Sequence, residues 1–420
     1  MSPPLSSTPA APQGGEQAAW ERPGAGLLTE RYAAVRGETL RRVAGLSEAD
    51  CQAQSAEFAS PAKWHLAHTA WFFETFVLEP FEPGFKPHQP AYRVLFNSYY
   101  QGVGPQHARP QRGLLTRPSL AEVNAWRAAV DARMQALLDR SSLHDDAAFS
   151  ALVELGLQHE QQHQELLWAD LLHLFSFSPL APAVLGTPPP PSVVGTEGDV
   201  DVDGGLVEIG HAGPGFAFDN ESPRHRVFVA PYRLSKRLVN NAQWQSFIDD
   251  GGYRQPRWWL SAGWDWLNAN RIEAPLHWRP EGQHVTLHGL LPREPLAPVV
   301  HISLYEADAY AHWAAAQQRQ PIRLPTEAEW EHAVVVAAGL SQTAGPAWQW
   351  TASAYAAYPG FRAWGGAVGE YNAKFMANQF VLRGASLATP TGHARPTYRN
   401  FFPADARWQF TGLRLACDAT

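Results

Sequence analysis

The sequence predicts an α+β protein of two domains, a four-helix bundle over about residues 27–177 and a loop-rich α+β domain over 205–420. Three observations carry this reading. The 420 residues suffice for two separate cores. The first half has apolar residues at the three-and-four spacing of amphipathic helices. The second half changes to short apolar runs, turns and Trp-rich loops after a Pro- and Gly-rich break.

The elements follow in order. Residues 1–26, rich in Pro, Ser and Ala, read as a disordered lead-in without the basic and apolar regions of a secretory signal. LLTERYAAVRGETLRRVAGL is the first helix. SPAKWHLAHTAWFFETFVL is the second, with Ser60 and Pro61 as N-cap and first-turn residue. Ser119 opens the third, and Glu122 completes its capping box. The fourth runs from about Asp146 to Leu174. Four helices with a long connection between the second and third suggest a bundle.

Residues 178–204 read as a linker. Beyond it, GLVEIG, HRVFVAPYRLS, FVLRGAS and FTGLRLA are candidate strands, and NNAQWQSFIDDGG and LPTEAEWEHAVVVA are the two clear helices. Thr326 and Glu329 form a capping box in the latter.

Composition narrows the function. A net charge of -7 argues against a nucleic-acid footprint. No apolar run approaches the ~20 residues that span a bilayer. Cys51 and Cys417 cannot build a disulfide framework, which favours a reducing cytoplasm.

The chemistry concentrates in LQHEQQHQEL. His159 and His163, four apart, share a helix face with Leu152, Leu155 and Leu166, and Gln162 borders that face. Hydrogen-bonded core histidines are one reading, and ligands of a single metal ion are the other. Two imidazoles set among leucines without partners would cost a few kcal/mol, which favours the metal. A third ligand must come from another helix. WHLAH offers His65 and His68; His68 is preferred, with His65 as packing or a supporting residue. Three neutral histidines leave positions open for chemistry, and spacing alone leaves iron and zinc both open.

These residues and the strings SPAKWHLAHTAWFFETF, LFNSYYQGVG, RPQRGLL, HEQQHQE, FDNESPRHRV, RLPTEAEWE, EYNAKFMANQFVLRG and YRNFFPADARWQFTGLRLA resemble the sulfoxide synthases of ergothioneine biosynthesis. The resemblance implies a DinB-like four-helix bundle and a domain similar to the formylglycine-generating-enzyme, C-type-lectin-like fold. It implies one Fe(II) held by His68, His159 and His163, and use of O2 to join a chalcogen to the imidazole carbon of Nα-trimethylhistidine, hercynine. It also implies that Gln162 contacts that imidazole and that Asn400 lies near the hercynine carboxylate and trimethylammonium. Tyr398, Phe401 and Phe402 would wall the pocket, where aromatic faces suit a quaternary ammonium. Tyr99 or Tyr100 would supply a proton, and Arg109 and Arg112 would hold the carboxylate of the sulfur donor. From the residues alone, packing for the tyrosines and a surface charge pair for the arginines stay open.

Ala377, Ala385, Leu387, Pro346 and Gln349 depart from the strings usual in ergothioneine synthases. They mark a divergent branch, and the preferred one is similar to selenoneine synthase, which joins selenium from a selenosugar to hercynine. The alternatives are a C–S bond from cysteine or γ-glutamylcysteine, a zinc-dependent DinB-like thiol transferase, and a non-catalytic binding module.

Overall fold

The computed structural model describes residues 28–143, 145–188 and 195–419. The predicted disordered lead-in lies outside these residues. Helices α1 (Leu28–Arg42), α2 (Ala62–Phe73), α3 (Leu120–Leu138) and α4 (Ala147–Ser176) form the bundle. Every residue of α2 is buried, as expected of a helix apolar on all sides. Even Lys63 is buried, and its ammonium donates to the carbonyl of Leu115 at 2.8 Å.

Caps explain where two of these helices start. Ser119 and Glu122 cap α3 reciprocally, and Asp146 accepts from the amides of Ala148 and Phe149 at the start of α4. The expected Ser60 cap does not form. Pro61 occupies the N-cap of α2 without a side-chain bond, while the Ser60 hydroxyl accepts from Arg112 at 2.9 Å. Gly156 lets α4 approach α2 closely, since a Cβ there would lie 2.5 Å from the ring of Phe73.

One buried anion fixes the rotation of α4. Glu160 is fully buried and accepts from Arg36 at 2.9 Å, Arg127 at 2.9 Å and Thr39 at 2.6 Å. Arg36 and Thr39 come from α1 and Arg127 from α3. The two guanidinium groups hold the Glu160 carboxyl down at about 2 against the opposing effect of burial.

The second domain has four small sheets. Strands β1 (Asp199–Val202), β4 (Tyr232–Ser235), β13 (Ala416–Asp418) and β8 (Ile322–Arg323) form one antiparallel sheet in that order. Strands β11 (Asn400–Phe402), β10 (Phe380–Gly384), β9 (Trp348–Ala354) and β12 (Thr411–Leu413) form another, with β12 parallel to β9. The pair β2 (Gly205–Ile209) and β3 (His225–Val229), and the meander β5 (Trp278–Arg279), β6 (Gln283–Thr286) and β7 (Gly289–Pro292), complete the set. β1 falls inside the segment read as linker; its acids face outward from an edge strand while Val202 is buried.

Four helices of the second domain are α5 (Asn241–Asp249), α6 (Ser261–Asn270), α7 (Leu304–Gln318) and α8 (Glu327–Val336). The sequence reading recognised α5 and α8 but not α6 and α7. Buried ion pairs join α8 to β10 and to the turn before β11. Glu327 accepts from Arg383 at 2.9 Å and from both Nε and Nη2 of Arg399, at 2.8 and 2.9 Å. Three distant strings, RLPTEAEWE, VLRG and YRN, thus meet at one carboxylate.

The domains share a seam along α4. Glu165 accepts from Thr389 at 2.6 Å, Ser386 at 3.2 Å and the indole of Trp348. Gln158 pairs with His393 at 2.7 Å, and Arg42 donates to the carbonyl of Ala388 at 2.8 Å. An interdomain cleft of about 1440 Å³, lined by Leu155, Gln158, Phe216, Trp364 and Arg395, opens at one end of this seam. Among the described residues no helix is long and apolar enough to cross a membrane. Cys51 and Cys417 are both free and buried.

Replacing Glu160 with Gln leaves Arg36 and Arg127 without their shared buried carboxylate. The expected loss is about 3–5 kcal/mol of stability, measured by urea unfolding. An unchanged midpoint would contradict the role of this carboxylate as the anchor of α4.

Candidate metal centre at the domain seam

Helices α2 and α4 bring together His68, His159 and His163, with one possible ligand atom of each within 4.8 Å of the others. His68 Nε2 and His159 Nε2 lie 3.2 Å apart. Nitrogens each about 2.1 Å from a common ion would sit about 3 Å apart, so this spacing fits shared coordination. The Phe96 carbonyl, 2.6 Å from His68 Nδ1, accepts its proton and leaves the Nε2 lone pair facing the group. The ring of His68 is held between Trp64, stacked at 4.6 Å, and Trp71, at 5.3 Å. Phe72 stacks on His159 at 4.4 Å.

Burial drives the pKa of all three histidines down, His159 to about 3, and each neighbouring imidazole opposes a second positive charge. Neutral imidazole is the form that binds metal. The donor set therefore fits a divalent ion, and it leaves coordination positions unused by protein.

His65 stands behind the group. Its Nδ1 lies 2.9 Å from His163 Nδ1, and its Nε2 lies 3.1 Å from Asp170. The sequence reading of His65 as a supporting residue agrees with this position.

On the side facing the second domain, Gln162 bridges two tyrosines. Its amide nitrogen donates to the Tyr398 hydroxyl, and its carbonyl accepts from the Tyr371 hydroxyl. Tyr371 was absent from the sequence-derived candidates. Its ring lies 5.7 Å from His159 and stacks on Phe218 at 5.4 Å. The run EYNAKFM gave no spacing signal that would single it out; only the fold brings this loop to the histidines.

Other candidates occupy varied positions. Tyr99 and Tyr100 stack at 4.7 Å. Tyr100 is buried among Trp71, Phe72 and Phe76, while Tyr99 turns toward Tyr371, at 6.3 Å, and Phe375, at 5.1 Å. Burial raises both phenols well above the usual range, so both stay protonated. Phe401 stacks on Tyr355 at 4.0 Å and lies 5.9 Å from Phe375, joining the wall beside Tyr99. Phe402, its neighbour on β11, points to the opposite face and meets Trp408 at 5.7 Å. The half-buried Asn400 accepts from the amide of Phe401 at 2.9 Å. Arg109 is exposed. Arg112 is buried over the face of Trp64, with its guanidinium carbon 3.3 Å from the ring centroid.

The histidines also set an acid limit on stability. Burial lowers His159 and His301 to about 3 and His284 to about 4. Unfolded histidine titrates near 6.5. Below about pH 6.5 the unfolded chain therefore binds protons that the folded chain refuses. Stability is full above that pH and falls down to about 3–4, by up to about 1.4 kcal/mol per pH unit for each such histidine. Glu160 contributes no slope above about pH 5, because its lowered pKa matters only below the unfolded carboxylate value. Urea unfolding of the metal-free protein at pH 7.5 and 5.5 is expected to show a clear loss at the lower value. Equal stability at both would contradict neutral, buried histidines.

Comparison with known proteins agrees with this architecture. Residues 31–167 match the DinB superfamily, and residues 186–338 and 336–419 match the sulfatase-modifying factor enzyme 1-like domain. Over 93% of its length the chain is 32% identical to a hercynine oxygenase of Mycolicibacterium thermoresistibile, covering 94% of that protein. It is 33% identical to a hercynine oxygenase of Mycobacterium tuberculosis, with 93% of this chain and 98% of that one aligned. A third of the chain, 33%, is 34% identical to the formylglycine-generating enzyme of Streptomyces coelicolor, spanning 47% of it. With 32–33% identity along nearly the whole length of both proteins, the chain belongs to the hercynine oxygenase family.

Proposed function

We propose that this protein is a non-heme Fe(II) oxidoreductase that uses O2 to form a carbon–chalcogen bond at the imidazole of hercynine, with a selenosugar as the donor. The observation that carries the proposal is the three-histidine group facing Gln162, Tyr371 and Tyr398 across the domain seam. Bound Fe(II) would supply the activation of O2.

The chain's own residues do the rest. Gln162 has one donor and one acceptor group within reach of a guest imidazole, and both are now occupied by tyrosine hydroxyls. Exchange of one tyrosine for a ring nitrogen of hercynine would orient the reacting carbon. Tyr371, 5.7 Å from His159, and Tyr99, 6.3 Å from Tyr371, are protonated phenols, and either could donate a proton. Tyr398 and Phe401 supply aromatic faces, and Asn400 a carboxamide, for the trimethylammonium and carboxylate of hercynine.

The donor assignment rests on the departures at Ala377, Ala385, Leu387, Pro346 and Gln349 from the strings usual in ergothioneine synthases. A cysteine-type donor carries a carboxylate that wants a free guanidinium fork. Arg109 is exposed, and Arg112 is committed to Ser60 and to the face of Trp64. With a neutral sugar donor these arginines would instead hydrogen-bond to its hydroxyls. The C–S alternative, with cysteine or γ-glutamylcysteine, would use the exposed Arg109 guanidinium for the donor carboxylate.

Iron-loaded protein incubated with hercynine, O2 and, separately, a selenosugar, cysteine and γ-glutamylcysteine tests the reading by product mass. Product only with the thiols would overturn the selenium assignment. Absence of O2 consumption with every donor, together with zinc as the bound metal, would favour a thiol transferase instead. Gln162→Ala is expected to raise KM for hercynine about tenfold, a hydrogen-bond loss of 1–2 kcal/mol. An unchanged KM would remove Gln162 from the substrate site.

A further inference from the structure

The three histidines of the metal group are oriented in three different ways. His68 gives its Nδ1 proton to a backbone carbonyl. His159 has no hydrogen-bond partner for Nδ1 among the described residues. Among the described residues, His163 is the one of the three with a nitrogen against a side chain outside the group, and that side chain leads to a carboxylate.

The chain of contacts fixes proton positions. Asp170 Oδ2 accepts from the amide of Ser60 at 2.8 Å and lies 3.1 Å from His65 Nε2. A carboxylate has no proton to give, so His65 Nε2 carries the proton. The imidazole then presents its Nδ1 lone pair, 2.9 Å from His163 Nδ1. That contact is a hydrogen bond only if His163 carries its proton on Nδ1. Its Nε2 lone pair is then left for the ion. The opposite order of protons would place N–H on the metal-facing nitrogen and set the His65 Nε2 lone pair against the Asp170 carboxylate.

The residues are built to keep this order. His65, Asp170 and Ser60 are all buried. His65 lies on α2, and Asp170 lies two turns beyond His163 on α4, so the relay also ties the two ligand-bearing helices together. Arg112 donates to the Ser60 hydroxyl, holding the residue whose amide fixes Asp170.

We propose that Asp170 and His65 are positioning residues, a carboxylate–imidazole relay that holds His163 in its Nδ1–H tautomer and aims Nε2 at the metal ion. The inference rests on His68, His159 and His163 forming one metal site. Partners of this kind are worth about 10–100-fold in metal affinity where they touch a ligand directly.

Titration of the metal-free protein with Co(II), followed by its visible spectrum, is the test. His65→Phe keeps a ring of similar bulk but cannot accept a proton, and it is expected to weaken Co(II) binding about 10–100-fold. His65→Gln, whose carboxamide oxygen can accept from His163, is expected to restore most of the affinity. Asp170→Leu removes the acceptor that His65 Nε2 and the Ser60 amide share, and it is expected to weaken Co(II) binding as well. A packing role predicts the reverse ranking of the two His65 variants. Wild-type affinity in both His65→Phe and Asp170→Leu, alongside loss in His163→Ala, would overturn the relay and leave the metal site intact. Failure of the wild type to bind, or full binding by His163→Ala, would overturn the metal site itself. Histidine-15N NMR of the metal-free wild type needs no variant to fold. Protons on His65 Nε2 and His163 Nδ1 are expected, and the opposite tautomers would refute the relay.

Discussion

The carboxylate of Glu160, clamped by Arg36, Arg127 and Thr39, sets the rotation of α4, and the rest of the architecture follows from that rotation. Residues on a helix turn by about 100° each. With Glu160 directed toward α1 and α3, His159 and His163 must face α2. Gln158, Gln162 and Glu165 must then face the other domain. One ten-residue stretch thus carries a structural anchor, two metal-facing histidines and three interdomain contacts on separate sectors of a single cylinder. A buried ion cluster contributes little net stability, because desolvation offsets most of its attraction. Its value here is directional: few other arrangements of α4 would satisfy a fully buried carboxylate.

A second buried carboxylate plays the same part across the seam. Glu327 gathers Arg383 and Arg399, which holds the turn preceding β11 against α8. Arg399 sits between Tyr398 and Asn400, so anchoring it delivers Tyr398 to Gln162. The seam beside the histidines is therefore bounded by two elements, each oriented by an ion cluster next in sequence to residues that face it.

Much of this was legible in the chain because local signals and global fold agree. The capping boxes at Ser119 and Thr326 give helix starts that the structure reproduces. The four-residue histidine spacing gives one face of α4. Helix α7 was equally marked, by Ser303 and Glu306, yet was missed because its Ala- and Gln-rich body lacks an apolar stripe. Helix α6 begins without a side-chain cap and has no comparable signal. Strand β1 hid in a linker-like composition because only one of its four residues is buried. Ser60 has the residue type of a cap, but a tertiary bond from Arg112 claims its hydroxyl. Tyr371 and the link from His65 to Asp170 depend on residues far apart in sequence or on different helices, and no local period encodes such meetings.

Gln162 belongs to the bundle, and both hydroxyls that hold it belong to the other domain. Beside the histidine group, the two halves thus meet through this carboxamide. A lineage, or a laboratory selection, can rework the loops around 371 and 398 and change which small molecule is admitted without disturbing how the ion is held. The chain is organised as a fixed histidine group with a replaceable wall.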